Sequence, residues 1–311
     1  MTDLLHSIIN DDADEEYDIT MEIINQMDDN VDINDVCKYY DLITYNKLTC
    51  KRSPHYAIMH MNVRCLTNKF DEIKAILGQM STKPIVIAIT ETWLSVSDTN
   101  SYNISGYTSY HLVRTLREHG GVSLFISNEF VSSQINSISY VSDIIEVLTV
   151  KFSVQNHSYT LCSVYRPDDK YHNVDKFTNE LLTILNHKEI VKSNTVLVGD
   201  LNINLLEHST HQPTANFLNA MQSIRFHPHI TKPTRFPDQN QQGLPSLLDH
   251  IFVNFSAKSK AGILHYPVSD HLPVFFHFEL HKKNHQSHEV TIGRVQLSQN
   301  TPRSAQPSCG P

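Results

Sequence analysis

An aspartate and an asparagine two residues apart close a short apolar run, Thr195-Val196-Leu197-Val198-Gly199-Asp200-Leu201-Asn202. Side chains i and i+2 of a strand point the same way, so Asp200 and Asn202 would present a carboxylate and an amide from one strand end. That pair suits work on a phosphate. The carboxylate aligns or deprotonates a water, and the amide donates a hydrogen bond without adding negative charge. Gly, Asp and Asn together also make ordinary β-turns. Glu91 follows the apolar run 85–89. A carboxylate at the end of a buried strand suits a hard cation such as Mg2+, which takes oxygen ligands and keeps several waters. Asn62 ends an earlier strand-like run and could offer an amide oxygen to the same cation. Taken singly, Glu91 and Asn62 fit a solvated strand-end residue better.

Two Asp-His dipeptides come late, Asp249-His250 and Asp270-His271, the second preceded by Ser269. A histidine held by a buried carboxylate is oriented and more easily cationic. Beside a phosphate, a cationic histidine stabilises the charge of the transition state. The chain holds 19 histidines, so two such dipeptides also fit chance. Tyr165-Arg166 offers a phenol and a guanidinium suited to phosphate contact, or an aromatic at a sheet rim beside a solvated arginine.

Nearly all these groups fall at the ends of periodic segments or in the adjoining loops. Strand patterns cover 56–63, 85–90, 107–113, 121–127, 144–154, 158–165, 195–198, 247–254, 262–266 and 272–280. Helical spacing covers 68–80, with Asn68 as a candidate cap, and also 174–187 and 214–224. Strands outnumber helices too strongly for strict β-α-β alternation. The expectation is an α/β fold of four layers, α-β-β-α, in which two packed mixed sheets carry helices on their outer faces.

Charge is unevenly spread. Residues 1–50 carry 13 of the 33 acidic and two of the 25 basic residues, a local charge of −11; the remainder, with 23 basic and 20 acidic, is +3. Residues 1–53 read as an acidic, flexible leader, 54–280 as the folded domain, and 281–311 as a disordered Ser/Gln/Asn/Pro-rich tail. A leader acting as a pseudo-substrate over a basic groove is one reading of its charge, a solvated arm the plainer one. The five cysteines are odd in number and form no CxxC pair, against a disulfide framework or a zinc site. The amino terminus has no signal-peptide pattern, and the apolar runs are far shorter than the roughly 20 residues a bilayer needs.

The ordered set Asn62, Glu91, Tyr165, Gly199-Asp200-Leu201-Asn202, Asp249 and Ser269-Asp270-His271 resembles the endonuclease/exonuclease/phosphatase superfamily. Within it, the wording is similar to the endonuclease domain of LINE-type retrotransposons. The matching words are Asn62-Val63-Arg64-Cys65-Leu66, Glu91-Thr92-Trp93-Leu94, Gly106-Tyr107, Gly120-Gly121-Val122, Tyr165-Arg166-Pro167, Pro233-Thr234-Arg235, Leu248-Asp249-His250-Ile251-Phe252 and Ser269-Asp270-His271-Leu272-Pro273.

The resemblance implies a monomeric, metal-dependent phosphodiesterase that nicks one strand of double-stranded DNA and leaves a 3′-hydroxyl. Its action on DNA implies a nuclear setting, with no membrane. Asn62 and Glu91 would hold Mg2+ or Mn2+. Asp200 would activate the water, and Asn202 and Tyr165 would contact the scissile phosphate. His271, oriented by Asp249, would stabilise the transition state, and Asp270 would help place the metal or leaving group. Arg166 and Ser269 are weaker carry-overs as phosphate contacts. The subgroup often has a third glycine where His119 stands and Phe where Leu201 stands. No reverse transcriptase is expected in 281–311, so the chain reads as a fragment, a decayed copy or a free-standing nuclease. A small-molecule or lipid phosphoesterase of the same fold is the alternative, and an inactive binding module a further one.

Overall fold

β-Branched and aromatic residues in short runs between turn formers set most of this chain as strand. The structure, a computed structural model, describes residues 37–49, 55–115, 119–154, 157–168, 173–237 and 243–279. Strand β1 (Lys38–Tyr40) and helix α1 (Leu42–Thr49) precede β2 (His55–Asn62), α2 (Leu66–Gln79) and β3 (Val86–Thr90). Strands β4 (Tyr107–Leu112), β5 (Val122–Ser127), β6 (Ser132–Gln134), β7 (Tyr140–Val141), β8 (Glu146–Val154) and β9 (His157–Tyr165) follow. Then come α3 (Val174–Leu185), α4 (Lys188–Val191), β10 (Asn194–Asp200), α5 (Gln212–Ser223), β11 (His227–Pro228), β12 (Asp249–Val253), β13 (Ser259–Leu264) and β14 (Val274–Glu279).

The strands form two mixed sheets. One runs β1-β13-β14-β2-β3-β5-β4, the other β11-β12-β10-β9-β8-β6 with β7 on β8. Each contains a parallel pair joined by a helical crossover, β2-α2-β3 in the first and β9-α3-α4-β10 in the second. The inner faces meet in one apolar core, where Ile58, Val86, Ala88, Leu124 and Phe276 pack with Leu148, Val150, Leu161, Val198 and Ile251. On the outside of the first sheet, Ile73, Ile76 and Leu77 of α2 cover Met59, Met61, Ile87 and Phe125. On the outside of the second, the Phe217 ring of α5 lies 6.3 Å from Phe177 of α3 and 5.9 Å from Phe252 of β12. The result is the four-layer α-β-β-α sandwich that the strand count predicts.

Two expectations change. Helix α2 starts at Leu66, not at a cap on Asn68. Cys65 caps it without a side-chain bond, while the N–H groups of Cys65 and Leu66 donate to the carbonyls of Glu91 and Thr92, each at 2.9 Å. Tertiary backbone pairing satisfies donors that a capping side chain would otherwise take. Residues 37–49 do not belong with a flexible leader. Strand β1 pairs in parallel with β13, and the buried Tyr45 ring stands edge-on to Phe275 at 5.0 Å and His277 at 5.2 Å. The aromatic burial of Tyr40 and Tyr45 outweighs a charge average taken over 50 residues. Residues 1–36 and 280–311 lie outside the described residues, so the acidic arm and the tail fall there too. No helix among the described residues is long and apolar enough to cross a membrane.

The site strand β10 depends on one glycine. Gly199 has φ +153°, and a Cβ on it would stand 1.7 Å from the backbone oxygen of its register partner Val164. Gly199→Ala should therefore lower unfolding free energy by about 3 kcal/mol, because neither strand can move away inside a packed sheet. A Cβ on Gly78 in α2 meets nothing within 4 Å, so Gly78→Ala should raise stability by about 0.5 kcal/mol. Urea unfolding of the two variants checks the opposite signs; equal shifts would contradict this packing.

Candidate active site

Strand register lines up the polar residues at one end of the sandwich. Across the second sheet, Glu146 pairs with Tyr165, Tyr165 with Asp200, and Asp200 with Asp249. Directly opposed residues share a face, so β8, β9, β10 and β12 form one row of acid, phenol, acid and acid. From the first sheet, Asn62 at the end of β2 stands beside Thr90 at the end of β3. The two sheets meet through the Asn62 amide, which donates to Asp200 Oδ2 at 2.7 Å and to Glu91 Oε1 at 2.8 Å. Glu91 reaches that amide from a left-handed backbone position, φ +52°, a conformation uncommon outside glycine.

His271 closes the far side. Its Nδ1 lies 2.8 Å from Asp249 Oδ2 and 4.0 Å from Asp200 Oδ2. Thr234 donates to the same Asp249 oxygen at 2.6 Å while accepting the N–H groups of Leu248 and Asp249. Burial favours a neutral imidazole, but the charge of Asp249, its hydrogen bond, and the charges of Asp200 and Asp270 raise His271 to about 9. Burial also works against the Asp249 carboxylate; the charge and hydrogen bond of His271, with help from His60 and Thr234, hold its pKa below the ordinary range. Asp200 moves upward. Its burial and the charges of Asp249 and Glu91 outweigh His271 and the Asn202 N–H. Tyr165 is raised strongly, first by burial and then by Glu91 and Asp200, so it stays a protonated phenol.

The remaining expected residues also converge here, some with different contacts from those expected. The backbone N–H of Asn202 donates to Asp200 Oδ1 at 3.0 Å, and its side-chain amide donates to the Arg166 carbonyl at 2.8 Å. A primary amide has a second N–H, which leaves one for a ligand. Arg166 is turned inward. Its guanidinium donates to the Asn202 carbonyl at 2.9 Å and lies over the Phe177 ring. Ser269 donates to the Asn62 carbonyl at 2.6 Å and accepts the His271 N–H. Both therefore brace the site. Asp270 Oδ2 takes Arg64 and Arg235, each at 2.9 Å, while its buried Oδ1 has no hydrogen-bond partner.

Several contributors were not singled out from the sequence. Glu146 is fully buried, accepts the Gly121 N–H at 2.6 Å and pairs with Arg114 at 3.2 Å. Burial pushes it up to about 7, against Gly121 and Arg114 and with Glu91 adding to the rise. A lone acid opening the apolar run 146–150 was the available signal. His60 is also buried; its Nδ1 faces Asp249 Oδ1 at 3.6 Å, and its Nε2 meets Thr90 at 3.1 Å. Thr234 sat inside a motif to which no role was given.

The donor set fits a hard divalent cation on the Glu91–Asp200–Asn62 side. All the groups are oxygen donors once the Asn62 amide is turned about its last torsion, and the O and N of an amide are interchangeable by that turn. A cation there would also relieve the mutual repulsion of Glu91, Asp200 and Asp249. Asp200, Asp249 and His271 likewise bring ligand atoms within 4.8 Å of one another. A cationic imidazole engaged with a carboxylate has no free Nδ1 lone pair, so that trio suits holding a proton better than a metal.

The chain matches the family model for the endonuclease/exonuclease/phosphatase family over residues 59–271. A match of that extent makes the protein a member of this family, whose name covers phosphoester-cleaving hydrolases. Within the family, several solved structures share its fold. The endonuclease domain of TRAS1, a telomere-specific non-LTR retrotransposon, is 15% identical with a TM-score of 0.54, over 74% of this chain and 100% of that one. The AP endonuclease LMAP from Leishmania major is 16% identical with a TM-score of 0.59, over 84% and 99%. The 3′ phosphatase NExo from Neisseria, bound to a product DNA hairpin, is 16% identical with a TM-score of 0.54, over 72% and 100%.

The Asp249–His271 pair predicts a pH signature. His271 is raised above its ordinary 6.5 in the folded state. The stability it contributes is complete below pH 6.5 and disappears as pH rises through about 9. Asp249→Asn should lower the His271 titration from about 9 and cost about 3 kcal/mol, since it removes one partner of a buried pair. Histidine-ring NMR reads the first effect and denaturant unfolding the second. An unmoved His271 titration would show that Asp249 is not its charge partner.

Proposed function

We propose that this protein is a divalent-metal-dependent DNA endonuclease, which nicks one strand and leaves a 3′-hydroxyl in the manner of LINE-type retrotransposition. The observation that carries the reading is the meeting of Asn62, Glu91 and Asp200 from two sheets beside a histidine held cationic by Asp249. A phosphodiester needs a water stripped of a proton on one side and positive charge on its oxygens on the other. The cluster offers both within a few ångströms.

Mg2+ or Mn2+, held by Glu91 and Asn62, would polarise the phosphate and neutralise charge. Asp200 takes the proton of the attacking water as the water oxygen bonds to phosphorus and the bond to the 3′-oxygen breaks; that oxygen leaves with the electron pair and takes a proton from solvent to become the 3′-hydroxyl. His271 donates to a non-bridging phosphate oxygen. The Tyr165 phenol and the spare Asn202 N–H donate to the same group. Asp270, clamped through Oδ2 by Arg64 and Arg235, would have its unpartnered Oδ1 left to help place the metal or the leaving group. Arg166 and Ser269 keep these groups in register.

DNA as the substrate is supported by the printed descriptions of the structural neighbours and by the Pro233-Thr234-Arg235 wording. The cations Arg64 and Arg235 at the Asp270 edge suit a polyanion. As a DNA endonuclease the protein would act as a monomer in the nucleus.

Purified protein should convert supercoiled plasmid to open circles with Mg2+ and lose that activity with a chelator. Asp200→Ala should lower the rate by about 10³-fold while the protein stays folded. Glu91→Gln should raise the Mg2+ concentration for half-activity by at least about tenfold. Nicking that persists in chelator, or in Asp200→Ala, would overturn the mechanism. A folded protein that opens small phosphodiesters and leaves plasmid intact would overturn the choice of DNA.

A further inference from the structure

The loop that delivers Glu91 also delivers the chain's single tryptophan. Thr92 and Leu94 on either side are buried, whereas Trp93 is 37% exposed. The backbone is fixed on both sides of it. Thr92 N–H donates to the Gly121 carbonyl at 3.2 Å, Trp93 N–H donates to the Gly120 carbonyl at 2.8 Å, and the Thr92 carbonyl accepts the Leu66 N–H. Trp93 itself has φ +54° and its contact partner His119 has φ +71°, both in the left-handed region. A bulky side chain in that region is a backbone outlier held by its surroundings. The two rings meet edge to face, 4.2 Å between centroids and 84° between planes. Packing of this kind fixes the indole while leaving surface open. The neighbouring loop carries Arg64, whose side chain is 40% exposed and whose successor Cys65 donates to the Glu91 carbonyl. The Glu91 loop thus carries a fixed, part-exposed indole, and the loop bonded to it carries Arg64, paired with Asp270.

Resting on the nuclease reading, we propose that Trp93, buttressed by His119, is a stacking platform for a nucleobase next to the scissile phosphate. A cation for the backbone beside an aromatic plane for a base is how proteins hold unstacked nucleotides. Stacking tolerates any base, so the platform would favour sites where DNA unstacks easily rather than one fixed sequence. It would also draw the strand across the Glu91 loop.

Because Trp93 is the only tryptophan, the intrinsic indole emission of the whole protein reports on this one ring. In chelator, a short DNA duplex with unpaired central bases is titrated into the protein, and binding is followed in parallel by anisotropy of a dye on the DNA. Indole quenching with the same midpoint as the anisotropy is expected. Heparin, a polyanion without bases, should bind without quenching. Trp93→Ala should weaken DNA binding by about tenfold and Trp93→Phe should recover most of it. Anisotropy that saturates with unchanged indole emission, or equal quenching by heparin, would overturn the platform and leave the nuclease reading intact. No DNA binding together with no metal-dependent nicking would overturn both.

Discussion

Two carboxylates from different sheets share one amide, and the site is organised around that contact. Asn62 sits at the end of β2, Asp200 at the end of β10, and Glu91 just past β3. The Asn62 amide bridges both acids at 2.8 Å or less. That geometry exists only if the sheets pack face to face with these strand ends at the same edge. Parallel crossovers within each sheet supply this arrangement, since β2-β3 and β9-β10 each finish at the same end. The close approach of β10 to β9 at Gly199 and the α2 start pinned to the Glu91–Thr92 carbonyls are consequences of the same alignment.

Buried charge makes this arrangement costly in isolation, and the structure offsets it group by group. Asp249 has His271 and Thr234, Glu146 has Arg114 and the Gly121 N–H, and Asp270 has Arg64 and Arg235. Asp200 receives an N–H from Asn202 and the Asn62 amide, yet burial and its acidic neighbours still push its pKa up. Asp200 and Glu146 are the acids of the row that burial pushes upward, and of the two Asp200 is the one bonded to the Asn62 amide. Glu146 also acts through backbone. It fixes Gly121, whose carbonyl holds the Thr92 N–H, and so it sets the turn that presents Glu91 and Trp93.

Much of this was legible in the sequence because strand ends and short motifs are local. The apolar run before Gly199-Asp200, the run before Glu91, and the Ser269-Asp270-His271 triplet each mark a strand edge, and the strand excess over helices gives two sheets. What was not legible depends on contacts distant in sequence. Glu146 becomes a site neighbour only through the register of β8 on β9, and Thr234 through a bond to Asp249. The inward turn of Arg166 onto Asn202 and Phe177 needs the packed α3 helix. Residues 37–49 were misassigned because net charge was averaged across a segment whose tyrosines are buried.

The proposed division of labour, a metal on the Glu91 side and a proton on the His271 side, can be tested directly. Crystals grown with Mn2+ would show its position by anomalous scattering. The account predicts a peak within about 2.2 Å of a Glu91 carboxylate oxygen, with Asn62 turned to present its oxygen and the Asp249–His271 hydrogen bond intact. A peak ligated instead by Asp249 and His271, with Glu91 unliganded, would contradict it.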